Sequence, residues 1–180
     1  PVARAKVPSK TFAQILGNDA VKSRLLEAGK LVMNGRSQAS REPRNGVLLH
    51  GDPGNGKTAF AEALAGELKL PFLQLSVADV ASKWVGEKTS RIRQAFDQAM
   101  QSQPCMLFID EIDALLEARD GNSGGVKEDR DAVNALLTLM VDVRAHRVLL
   151  VAATNHLDRL DGAGIREGRF DFKVEITAPD

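Results

Sequence analysis

One cysteine, a net charge of zero and no long apolar run set the first limits on this chain of 180 residues. Cys105 alone cannot close an internal disulfide, and its place against the apolar residues 106–109 favours a packed thiol over a nucleophile. The lack of disulfides makes a cytoplasmic location the expectation. With 24 Lys and Arg against 24 Asp and Glu, the total charge exerts no pull toward nucleic acid or an anionic membrane. No apolar stretch nears the roughly 20 residues that span a bilayer, and no signal peptide opens the chain. His50, His146 and His156 have no metal-binding spacing and read as surface or strand-end residues. The charge is uneven all the same. Before Gly46, nine Lys and Arg stand against three acids, which describes a solvated face or, as the rival reading, a track for nucleic-acid phosphates. What remains, 43% hydrophobic and 27% charged, suits one globular domain with a sizeable core. A start at Pro1 without Met and an end at Asp180 without a turn signal give the expectation of a piece of a longer chain.

Hydrophobic periodicity divides the chain into alternating elements. Residues 19–34 carry Val21, Leu25, Leu26, Ala28 and Val32 at helical spacing, with Asn18 as the expected N-cap and Gly35 as the stop. Helices are also expected over 58–70, ended before Pro71, over 91–100 with Ile92, Ala95, Phe96 and Ala99 on one face, and over 129–140. Short apolar runs at 47–49, 72–76, 106–109, 148–153 and 172–176 read as strands. Such alternation implies an α/β fold, a parallel sheet of five strands covered by helices on both faces with right-handed crossovers. Ligands in such sheets bind at the carboxyl ends of the strands, so the informative residues are sought there.

The first strand runs into Gly51-Asp52-Pro53-Gly54-Asn55-Gly56-Lys57-Thr58, followed by Ala59, which fits GxxxxGK[ST] between a strand and a helix. Glycines let the backbone turn tightly enough to aim several N–H groups at one phosphate chain, and the following helix adds the positive end of its dipole. Lys57 is placed to reach the β- and γ-phosphates and Thr58 to give its hydroxyl to Mg²⁺. The competing reading is a glycine-rich turn without a ligand.

At the end of the third strand stand Asp110 and Glu111. Side chains alternate across a strand, so adjacent acids point in different directions and can do different work. Asp110 is expected to hold Mg²⁺ through its water shell beside Thr58, and Glu111 to polarise the water that attacks the γ-phosphate. The plain alternative is two acids that end a strand and cap a helix. The fourth strand ends in Thr154-Asn155, and an amide suits the positioning of a neutral water because it both donates and accepts.

Taken in order, Gly51 to Thr58, Asp110-Glu111, Thr154-Asn155 and Arg166-Glu167-Gly168-Arg169-Phe170-Asp171 resemble the motifs of the AAA+ ATPases, specifically the classical AAA clade. The likeness covers the chain from about Phe12 onward and implies a P-loop NTPase-type sheet, the large α/β subdomain of that family. Residues 1–17 are then linker and adenine-packing segment, with Ile15, Leu16 and Gly17 against the base. The resemblance implies ATP and Mg²⁺ as cofactors, Asn155 as the sensor of the γ-phosphate, and Arg166 and Arg169 as fingers reaching the ATP of a neighbouring subunit in a homo-hexamer. It makes Lys83, Trp84 and Val85 the first pore loop, which grips a threaded polypeptide, and residues 119–127 the second. Here the match is closest to katanin, spastin and related protein-remodelling ATPases. Trp84, the only tryptophan, lies off the stripe of Ile92 and Phe96 beside Gly86, which favours exposure, with a buried structural Trp as the alternative.

Several positions depart from the family pattern. Its usual Arg-Pro-Gly-Arg is Arg166-Glu167-Gly168-Arg169 here, Phe172 replaces a frequent basic residue, and Asn55 replaces a Thr. The small helical lid of the family would follow Asp180 and is absent from this sequence, so weak nucleotide binding and a monomeric fragment are expected. The main expectation is ATP-driven protein remodelling, unfolding or disassembly through a ring pore. A nucleic-acid motor or loader and an ATP-locked scaffold are its rivals.

Overall fold

The computed structural model describes residues 5–37, 46–117, 126–162 and 170–179. Its centre is a sheet of five parallel strands in the order β2-β3-β4-β1-β5. The strands are β1 (Val47–His50), β2 (Phe72–Ser76), β3 (Cys105–Asp110), β4 (Val148–Thr154) and β5 (Phe172–Glu175). All seven residues of β4 are buried, as a strand covered on both faces requires. Alternation sends Leu48, Cys105, Leu107, Ile109, Leu150 and Ala152 into one core layer, and Val47, Leu49, Met106, Phe108, Leu149 and Val151 into the other. Seven helices flank the sheet among the described residues: α1 (Asp19–Ser37), α2 (Lys57–Glu67), α3 (Val77–Lys83), α4 (Lys88–Gln101), α5 (Ala114–Glu117), α6 (Val126–Asp142) and α7 (Leu157–Gly162). Leu25, Val32, Phe60 and Leu64 of α1 and α2 pack in the second layer, and Val80, Ile92, Phe96 and Leu136 of α3, α4 and α6 in the first. Cys105 is fully buried, its thiol donates to the Ala99 carbonyl at 3.2 Å, and burial pushes its pKa up to about 12, so it is a core residue.

The sequence expectations need local correction. The helix after the P-loop begins at Lys57 and ends at Glu67, because Lys69 turns left-handed at φ 55. Gly35 does not stop α1, which continues to Ser37. Asn18 heads that helix, and its carbonyl accepts from Lys22 N at 3.0 Å. At φ 56, however, its side chain turns away and donates to the Thr177 carbonyl at 3.2 Å. Helices α3, α5 and α7 were not expected. α3 had a signal: Ser76 Oγ accepts from Asp79 N at 3.3 Å as an N-cap, and Lys83 pairs with Asp79 one turn back at 3.3 Å.

The amino-terminal segment straps one flank of the molecule. Lys6 O accepts from Phe72 N at 3.0 Å, Lys10 pairs with Glu62 at 3.0 Å, and Glu67 Oε1 accepts from Phe12 N at 3.1 Å.

Candidate nucleotide site

Parallel pairing levels the carboxyl ends of three strands. His50 of β1 stands opposite Thr154 of β4, and Ile109 of β3 opposite Ala152, so the loop after β1 opens beside Asp110 and Asn155. Gly51, Gly54 and Gly56 have φ of 143°, 84° and 84°, a region that side chains with a Cβ avoid. Gly51 is also fixed by contact, since a Cβ there would lie 2.3 Å from the Ile176 carbonyl oxygen. That same carbonyl accepts from Asn55 Nδ2 at 3.1 Å, which ties the loop to the exit of β5. The Asn at this position therefore has a positioning job that the sequence reading did not assign. Asp52, Pro53 and Gly54 form the exposed crest of the loop, and Gly56 sits at the head of α2, where its carbonyl accepts from Phe60 N at 2.9 Å.

Lys57 is only 9% exposed, and its Nζ donates to the carbonyls of Gly51 and Asp52, each at 2.9 Å. The ammonium thus holds the loop closed on itself. Burial lowers its pKa below the ordinary lysine value, and the charges of Asp110, Asp52 and Asp113 oppose that shift. Thr58 Oγ1 faces Asp110 Oδ2 at 3.5 Å. Asp110 ends β3, and its Oδ1 accepts from Glu111 N at 2.9 Å. Strand alternation does not govern this pair, because Glu111 has left the strand and turns at φ 51. Its exposed carboxyl is held above its ordinary pKa, first by partial desolvation and then by Asp110, Asp113 and Asp79. Asn155 follows β4 directly, half-buried, in a turn held by Thr154 Oγ1, which accepts from His156 N at 2.9 Å.

Ile15 is half-buried against the α1–α2 layer, Leu16 is 82% exposed, and Gly17 turns at φ 67. Asn18 next to them is bonded to Thr177 O and Asn55 to Ile176 O, so adjacent carbonyls after β5 fasten this segment and the P-loop together. Ala59 lies in the first turn of α2.

Lys83 and Trp84 end α3, the helix that follows the edge strand β2. The exposure expected of Trp84 is corrected to half-burial, because the Arg91 guanidinium covers its ring at 3.4 Å from the centroid. Val85, 74% exposed, is the protruding side chain. Arg166, Arg169 and most of the expected second pore loop, residues 119–125, lie outside the described residues.

A threonine hydroxyl facing an aspartate is an oxygen set suited to Mg²⁺, which takes few protein ligands when a phosphate supplies the others. Among the described residues, no group of three or more His, Cys, Asp or Glu is placed to hold a metal by itself, and no helix is long and apolar enough to cross a membrane.

The profile of the family described as "ATPase family associated with various cellular activities (AAA)" matches residues 47–178. The ATP-dependent zinc metalloprotease FtsH of Rhodococcus erythropolis is 41% identical over 179 residues, which cover 97% of this chain and 21% of that protein. FtsH of Mycobacterium tuberculosis is 41% identical, with 97% and 23% covered. FtsH 1 of Conexibacter woesei is 40% identical, with 96% and 27% covered. Among solved structures, the FIGL-1 AAA domain superposes with a TM-score of 0.80 at 31% identity, over 98% of this chain and 58% of that one. The chain spans about a quarter of the length of the curated relatives it matches. With the P-loop, the acid pair and Asn155 gathered at three strand ends, and with these likenesses, the chain belongs to the AAA family of ATPases.

Proposed function

We propose that this domain binds Mg²⁺-ATP at the carboxyl ends of β1, β3 and β4 and hydrolyses it to drive the remodelling of polypeptide in a homo-hexamer. The observation that carries the reading is the convergence of Lys57, Thr58, Asp110, Glu111 and Asn155 on one edge. Residues 52–59 wrap the phosphates, and the Lys57 ammonium exchanges its two carbonyl partners for phosphate oxygens. Ile15, Leu16 and Gly17 bound the adenine side. Thr58 and Asp110 would hold Mg²⁺, which would supply neutralisation of the negative charge on the β- and γ-phosphates. Asn155 orients a water and Glu111 accepts its proton while the water oxygen bonds to the γ-phosphorus. The bond from that phosphorus to the β-phosphate oxygen breaks, and ADP keeps the electron pair. A raised Glu111 pKa suits this task, since a stronger base takes the proton more readily. Arg166 and Arg169 act on the ATP of a neighbouring subunit, as in the family. Val85 and Trp84, with Lys83, form the grip on substrate.

Binding of a fluorescent ATP analogue and single-turnover hydrolysis test the roles. Lys57→Ala is expected to abolish binding, because Lys57 contacts ground-state phosphates. Glu111→Gln is expected to bind within about threefold of wild type and to lose turnover by roughly 10² or more. Equal loss of affinity in both variants overturns the division of labour.

A further inference from the structure

The ends of β3 and β4 are joined by two side chains that no step above uses. Asp113 is 4% exposed and Thr154 is 1% exposed, and Thr154 Oγ1 donates to Asp113 Oδ1 at 2.6 Å. The same hydroxyl oxygen accepts from His156 N, so Asn155 is the middle residue of a turn fastened through one atom. On the other side, Asp113 lies in the turn that carries Glu111, where Ala114 N donates to Glu111 O at 2.9 Å. The β3–β4 ladder ends at Ile109 and Ala152. Beyond it, Ile112 N donates to Ala153 O at 3.1 Å, and the Thr154–Asp113 bond is the next connection between the two segments. Asp113 Oδ2 also lies 4.0 Å from Arg159 Nη1 on α7.

We propose that Thr154 and Asp113 are positioning residues for hydrolysis, whose bond fixes the separation and orientation of Asn155 and Glu111 and so the place of the attacking water. This inference rests on the roles given above to Glu111 and Asn155. A buried hydroxyl bonded to a carboxylate is of the short, strong kind, and it spans the place where the sheet no longer holds the strands in register. Water must stand in line with the scissile bond, and a displacement of about 1 Å from such geometry can cost about 10²-fold in rate. Glu111 sits at φ 51, a sparsely used region for a residue with a Cβ, so the contacts around its turn must hold it there. The anchorage of Asp113, two residues on, is one of them.

The test uses the full-length protein, single-turnover hydrolysis and equilibrium binding of a fluorescent ATP analogue. Thr154→Val keeps the shape and removes the hydroxyl. Its hydrolysis rate is expected to fall about 10²-fold while analogue affinity stays within about threefold. Thr154→Ser restores the hydroxyl and should return most of the rate, which a packing role for the methyl would not predict. Asp113→Ala should lose most of what Thr154→Val loses, with little further loss when the two are combined, because both remove the Thr154–Asp113 bond while Thr154→Val also removes the acceptor of His156 N. Where Thr154→Val does not fold, Thr154→Ala removes the same hydroxyl without adding a methyl and carries the same expectation. A rate within about threefold of wild type in these variants, or affinity lost in step with rate, overturns the proposal. Asn155→Ala separates the two layers of the reading. If it too keeps its rate, the role of Asn155 is wrong; if it loses rate and Thr154→Val does not, only the positioning role is lost.

Discussion

Glu111 occupies an expensive place. A left-handed conformation costs a residue with a Cβ about 1 kcal/mol, and its carboxyl is held above the ordinary value by partial desolvation and three neighbouring acids. A pKa raised in the folded state means that the native protein binds this proton more tightly than the unfolded chain does. The associated stability is therefore fully present below the ordinary value of 4.5 and is lost as pH rises through the raised native value. Glu111→Gln is expected to melt above wild type at neutral pH, with a gap that closes as pH falls to about the ordinary carboxyl value. Thermal midpoints taken across that range decide it, and a gap of constant size would show that the carboxyl charge is not the cause. That Lys57, Thr58 and Asp110 lie together was legible in the sequence, because GxxxxGK[ST] after one strand and an acid at the end of another bring those residue types to one side of a parallel sheet. The backbone angle of Glu111 and the tie from Asn55 to Ile176 were not, since each depends on what another strand brings alongside.

Between elements, the main ionic fastening lies at the start of two helices. Lys88 Nζ of α4 meets Asp129 Oδ1 of α6 at 2.6 Å, with side chains 8% and 3% exposed. Glu128 Oε1 next to it accepts from Gly86 N, so the head of α6 is pinned to the turn that carries Trp84. Breaking such a pair by removing one partner strands a buried charge. Lys88→Met is expected to lose about 3–5 kcal/mol in urea unfolding, and Lys88→Met combined with Asp129→Leu to recover most of it. A double variant as unstable as the single one would locate the loss in packing instead. Strong apolar periodicity made α1, α4 and α6 legible, although α1 runs on to Ser37 and α4 and α6 each begin three residues before the expected start. α5 and α7 are four and six residues long, too short to carry a period, and the Lys88–Asp129 pair joins positions far apart in the chain.

At the scale of the whole molecule, the parallel α/β sheet was legible from alternating elements, but its order was not. Placing β1 between β4 and β5 is a decision of packing that no local pattern records. It is that order which sets the P-loop beside Asn155. The proposed homo-hexamer gives a further expectation, because a finger supplied by a neighbour adds roughly 10³–10⁵ in rate only when the neighbour is present. Arg169→Ala and Lys57→Ala subunits of the full-length protein, each inactive alone, should regain hydrolysis when mixed. Absence of recovery in hexamers demonstrated to be mixed would place Arg169 outside the catalytic interface. The stacking of Arg91 on Trp84 has one more consequence. The chain holds one tryptophan and no tyrosine, so its near-ultraviolet emission comes almost wholly from the turn after α3. That indole lies against a guanidinium, whose departure would alter both the intensity and the wavelength of its light. This domain therefore carries its own optical reporter, and a titration with nucleotide reads whether the far edge of the sheet moves without any label.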